Sequence, residues 1–230
     1  MRKNLIILIL VGVWLSSCGQ RSKSTAGTVS IDSEKVDSAK SENGLVAPIY
    51  DLDEFIYTDT LYSTSPGKGI TIQNSLPKGG MIDPGGTQYS DSSGKRYAFA
   101  VFWTRIINES TAPVELNINF PADSFAIFTP PNSYLKLFLP TDTFSYHELS
   151  SFNYGLTGVK SFLDTNFNKP TELQKILEPN EEHVFYIATL SYQASGTPRG
   201  ALILKENDLY YSMSLAPNGS GTIYCGKIKR

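Results

Sequence analysis

The chain has 230 residues, 40% of them apolar and 18% charged, with a formal net charge of −2. Such a composition excludes a fibre or a chain disordered along its whole length, and gives enough residues for one or two domains. The near-neutral balance argues against nucleic acid, which asks for a basic patch or stripe; Lys227, Lys229 and Arg230 read as a solvated terminus.

Residues 1–18 fall into three parts: Arg2 and Lys3, eleven largely apolar residues from Leu5 to Leu15, then small residues before Cys18. Eleven apolar residues are too few to span a bilayer, which takes about 20. The order of charge, apolar run and small residues is that of an export signal. Leu15, Ser16, Ser17 and Cys18 resemble the cleavage motif of the bacterial lipoprotein signal, which reads Leu, small, small, Cys. That resemblance implies cleavage at 1–17 and acylation of Cys18, with palmitate among the chains. Two or more acyl chains hold a protein to a membrane where one anchors only marginally. A disulfide between Cys18 and Cys225, the only other cysteine, is the competing reading. Cys225 lies in TIYCGKIK, an apparent strand with no thiolate-stabilising neighbour, and is expected to be a small buried thiol.

Residues 18–47 hold the lipidated cysteine and a tether. The 29 residues from Gly19 to Ala47 contain no aromatic and many Ser, Gly, Lys and Glu, too little apolar surface to offset the ordering of a backbone. A flexible chain of that length reaches about 30 Å. Aromatics then arrive together in PIYDLDEFIYTDTLY, so one folded domain is expected over 48–230, starting nearer Lys68 if this first stretch is only a peripheral strand or clip.

The clearest periodicity is PVELNINF, in which Val114, Leu116, Ile118 and Phe120 alternate with Glu115, Asn117 and Asn119; it predicts a strand with one dry face. RYAFAVFWTRII before it is apolar on both faces, as a central strand is. Further strands are expected over 124–128, 134–139, 182–190, 200–205, 209–215 and 222–228, separated by Pro and Asn-Gly turns. ALILKENDLYYSMSL reads as a hairpin with Tyr211, Met213 and Leu215 on one side. Short helical turns fit TGVKSFLDTNF; TELQKILEP suits either a turn of helix or a strand entering Pro179-Asn180. The strand reading resembles a connection common in immunoglobulin-like bacterial modules, with Asn180 in place of glycine. Together these predict an all-β, immunoglobulin-like β-sandwich with at most short helical turns.

The search for chemistry is mostly negative. His147 and His183, the only histidines, lack metal-ligand spacing, so no metal and no cofactor are expected. PKGGMIDPGGTQYSDSSGKR fails as a phosphate loop, because Gly94-Lys95 is followed by Arg96 and then by a strand; it reads as a long surface loop hinged at Gly79-Gly80 and Gly85-Gly86. Asp164, Asn166 and Asn168 imitate a calcium loop, but Lys169 and Lys175 occupy the positions of its glycine and bidentate Glu. The positive signal is aromatic: 13 Tyr and 12 Phe. Most lie in strands; Tyr146, His147, Phe152 and Tyr154, in one polar loop, are the candidate ligand-binding residues.

The layout resembles that of uncharacterised Gram-negative lipoproteins, and implies a lipid-anchored binding or assembly module of the cell envelope that docks a protein or a glycan. The alternative is an envelope hydrolase assembled from distant residues around His147. The residues after Cys18, GQRSK, depart from the acidic pattern of surface-exported lipoproteins in one Gram-negative phylum. That departure implies a periplasm-facing protein on the cell membrane or outer membrane.

Overall fold

Alternation of apolar and polar side chains builds most of this protein, and a computed structural model describes residues 51–65, 68–194 and 196–230. Twelve strands are formed among these residues: β1 (Ile56–Ser65), β2 (Lys68–Ser75), β3 (Lys78–Gly80), β4 (Tyr89–Ser90), β5 (Arg96–Asn108), β6 (Val114–Phe120), β7 (Tyr134–Phe138), β8 (Thr171–Leu177), β9 (Glu182–Tyr192), β10 (Pro198–Lys205), β11 (Asp208–Leu215) and β12 (Ser220–Lys229). They make two antiparallel sheets. The larger has the order β1-β2-β5-β9-β7, with β3 and β4 also paired to β5; the smaller has the order β10-β11-β12-β6-β8. The chain is an all-β sandwich, as the strand spacing predicts.

Val114, Leu116, Ile118 and Phe120 on β6 are at most 1% exposed and fill the space between the sheets with Tyr211, Met213 and Leu215 on β11. β5 is central, between β2 and β9, and is buried on both faces. Ala100, Phe102 and Ile106 face the second sheet, whereas Phe99, Val101 and Trp103 face the other way, into a second core. That second core is roofed by the chain after β7. The roof contains two 3-10 turns (Tyr146–Glu148 and Phe152–Gly155) and one helix, α1 (Val159–Asn166), which places Val159 and Leu163 one above the other on its buried side. The larger sheet is therefore covered on both faces, and among the described residues nothing covers the outer face of the smaller one, where Ile176 and Tyr224 are exposed.

Two expectations need correction. Residues 124–128 form no strand: Ile127 N–H turns back to Phe125 O, leaving a single bridge between Phe125 and Leu135. The glycine-rich 77–96 stretch is built into the sheet rather than looping free, through β3 and β4 and through the carboxylate of Asp91, which accepts from the N–H groups of Ser93 and Lys95 and from the Tyr97 hydroxyl. Its Ile82 and Tyr89 are buried. TELQKIL forms β8, and Asn180 takes a left-handed φ of 64° in the following turn, a conformation Asn enters more readily than most residues. Cys225 is buried at an irregularity in β12, beside Gly226. A Cβ on Gly226 would lie 2.0 Å from Asn117 O, so only glycine permits this approach of β12 to β6. The export signal, Cys18 and the tether lie outside the described residues. Among those described, no helix is long and apolar enough to cross a membrane.

Candidate functional site

β9 and β7 differ in length, and that difference opens a groove. β9 pairs with β5 over residues 182–191, but β7 pairs only with residues 188–192 of it. Beyond Phe138 the chain leaves β9: the Leu139 N–H donates to Thr171 Oγ1 at 2.9 Å, and Pro140 has no N–H with which to continue a ladder. Residues 139–146 then run as a strap over the start of β9. Between the strap, β9 and the edge strand β8 lies a groove of about 360 Å³, a volume within the usual range for ligand sites. Leu139, Phe144, Leu173, Val184 and Phe185 give it apolar walls; Asp142, Glu172, Glu182 and His183 give it polar ones, and no Lys or Arg lines it.

Tyr146 closes one end. Its hydroxyl donates to Glu182 Oε1 at 2.6 Å and its ring packs edge-on against Phe144. Arg105 Nε donates to Glu182 Oε2 at 2.9 Å, with a second contact from Nη2, while Arg105 Nη1 reaches Gln73, whose amide donates to Asp59. This polar ladder crosses β1, β2, β5 and β9 and fixes the Glu182 carboxylate. Burial alone would raise the Glu182 carboxyl, but the Tyr146 hydroxyl and the Arg105 guanidinium outweigh it and hold it below the ordinary carboxylate range. Burial, and then the bond to Glu182, push the Tyr146 phenol up to about 12, so it stays a donor. Burial and the nearby Lys175 charge lower the His183 imidazole, which is stacked on Phe185.

The four sequence candidates are not gathered in one place. Tyr146 lines the groove. His147 is exposed on the same 3-10 turn, outside the lining, and Phe152 is 41% exposed on the next turn. Tyr154 belongs to the core: it is 1% exposed, its hydroxyl donates to Leu76 O at 2.7 Å, and Lys78 Nζ sits 4.4 Å from its ring centroid. The cause is local backbone geometry. Asn153 and Tyr154 have φ of 49° and 56°, which turns the loop inward, and Lys78 fastens it by donating to Leu149 O and Ser151 O. Sequence reasoning missed Asp142, Phe144, Glu172, Leu173 and Glu182 as a group, because they come from three segments. Pro140, ending a strand expected to be shorter than 182–190, was the available signal.

A larger cleft of about 540 Å³ lies near the other end of β9, with Gln88, Arg96, Ser191 and Gln193 on its walls. The groove is the stronger candidate because one wall is the edge of a strand. Burial pushes the Cys225 thiol up to about 12, and among the described residues no group of three or more His, Cys, Asp or Glu is placed to hold a metal ion. The sequence matches no protein-family model and shows no significant similarity to a curated protein.

Proposed function

We propose that this protein is a lipid-anchored binding module of the cell envelope, periplasm-facing, that docks an envelope protein in the groove between the strap, β8 and β9. The observation that carries this reading is the groove itself: an apolar-walled channel of about 360 Å³ beside the start of β9, whose edge opposite β5 is left unpaired by β7. Support for the anchor comes from the lipoprotein-like residues Leu15 to Cys18 and the aromatic-free stretch after them. Acyl chains bring the domain to the membrane, and the tether lets the groove reach a partner there.

Cys18→Ala is expected to abolish lipid labelling and release the protein from the membrane fraction; retention without Cys18 ends the anchor claim. The groove is tested in intact cells by a photo-crosslinking amino acid at Tyr146 and, separately, at the exposed Tyr224 on the far sheet, alongside a glycan array. Capture of one protein from Tyr146 and not from Tyr224 supports the groove. Equal capture from both, or glycan binding that ignores groove substitutions, overturns it.

A further inference from the structure

In an antiparallel sheet, alternate residues point their N–H and C=O groups to opposite sides of the strand. Over residues 182–185, which line the groove, half of the β9 backbone groups therefore face away from β5, and among the described residues no backbone hydrogen bond reaches them from that side. The opposite wall, β8, is the last strand of its own sheet. Open strand edges pair readily with other chains, and proteins that must avoid this cover them or set lysines along them. Here the lining holds carboxylates and no Lys or Arg.

Resting on the groove as the binding site, we infer that its ligand is an extended protein segment bearing Lys or Arg, which adds to β9 as a strand alongside residues 182–185. Strand addition uses main-chain hydrogen bonds for affinity and pockets for alternate side chains for specificity. At roughly 3.4 Å per residue, the free stretch of β9 accepts about 14 Å of extended chain. Charge complementarity selects the ligand. Asp142 on the strap and Glu172 on β8 have no ion pair among the described residues, whereas Glu182 at the Tyr146 end is already paired with Arg105. Phe144 and Leu173 offer apolar walls to the side chains between the basic ones. The chain's own 19–47 segment does not match this charge, since Arg21, Lys23, Lys35 and Lys40 are balanced by Asp32, Glu34, Asp37 and Glu42.

The test uses the full-length protein in detergent and three capped synthetic peptides: alternating Lys and Val, alternating Glu and Val, and the Lys-Val peptide N-methylated on alternate backbone nitrogens. Fluorescence anisotropy measures affinity, and hydrogen exchange reads β9. The Lys-Val peptide is expected to bind at least about tenfold tighter than either control and to slow amide exchange within residues 182–185. An Asp142→Asn, Glu172→Gln double variant is expected to lose about tenfold in affinity for it while melting like the wild type. Equal affinity after N-methylation, or unchanged exchange in β9, overturns strand addition. If Tyr146 still captures one protein in cells in that event, the groove reading survives alone. If neither crosslinks nor peptide binding depend on the groove, both readings fall.

Discussion

Asn74 shows how much one buried amide can hold. It is 2% exposed, and its side chain donates to Thr58 Oγ1 and Leu202 O while accepting from Thr104 Oγ1 and the Leu202 N–H. Each amide atom meets two partners, and the amide serves Leu202 on edge strand β10 as a neighbouring strand would. Tyr211 is the opposite case: its hydroxyl is buried without a partner among the described residues. Losing a partner from a buried polar group costs about 1–3 kcal/mol, whereas deleting an unpaired one is near neutral or favourable. In urea unfolding, Asn74→Ala is accordingly expected to lose about 3 kcal/mol, because the Leu202 groups are left unpaired, and Tyr211→Phe to fall within about 1 kcal/mol of the wild type or above it. A large loss in Tyr211→Phe would reveal a hydroxyl partner and reverse that reading.

Among the elements, α1 is short, and packing rather than intrinsic propensity keeps it helical. Its eight residues present Val159 and Leu163 to the roofed face of the larger sheet, and Phe162 meets Phe138 edge-on at 6.3 Å. Leu163 is fully buried; Leu163→Ala is expected to cost about 2–5 kcal/mol in urea unfolding. Because the same roof carries the strap, faster amide exchange in α1 should accompany that loss. A variant as stable as the wild type would mean that the helix is only a lid on the sheet. This element was half legible in sequence. TGVKSFLDTNF marks a helical turn by the spacing of Val159 and Leu163, but nothing local says which face of which sheet it covers. The same limit applies to Tyr154, whose inward turn depends on left-handed backbone at two consecutive residues and on Lys78 from a distant strand.

Across the whole molecule, acid is expected to destabilise in two stages. The carboxyls of Asp91, Glu181 and Glu182 are held below their ordinary range: at Asp91 and Glu182 hydrogen bonds outweigh burial, and at Glu181 bonds to the Glu178 N–H and Lys175 dominate. A group with a lowered folded-state pKa contributes stability above its unfolded value and loses it as pH falls toward the folded one. For carboxylates that loss begins near pH 4. His183 is also lowered, by burial first, so the folded state resists its protonation and stability begins to fall near pH 6.5. Melting temperature measured from pH 8 to 3 should therefore decline in both windows, and His183→Gln should remove the upper decline while keeping the lower. An upper decline that persists in His183→Gln would assign it elsewhere.

The sequence by itself determined β5 to β7 and β9 to β12, because a period of two leaves a half-buried strand only one way to turn its Val, Leu, Ile and Phe. It also determined the buried state of Cys225 and the turn at Asn180, each from its immediate neighbours. Only the tertiary structure decided which strands are adjacent, since pairing β5 with β9 joins residues about eighty positions apart. That adjacency made β7 too short for its partner and left the edge of β9 open. Asp142, Glu172 and Glu182 are ordinary surface acids in sequence; they face one groove only because Pro140 ends a ladder and a strap, a sheet edge and a strand end converge there.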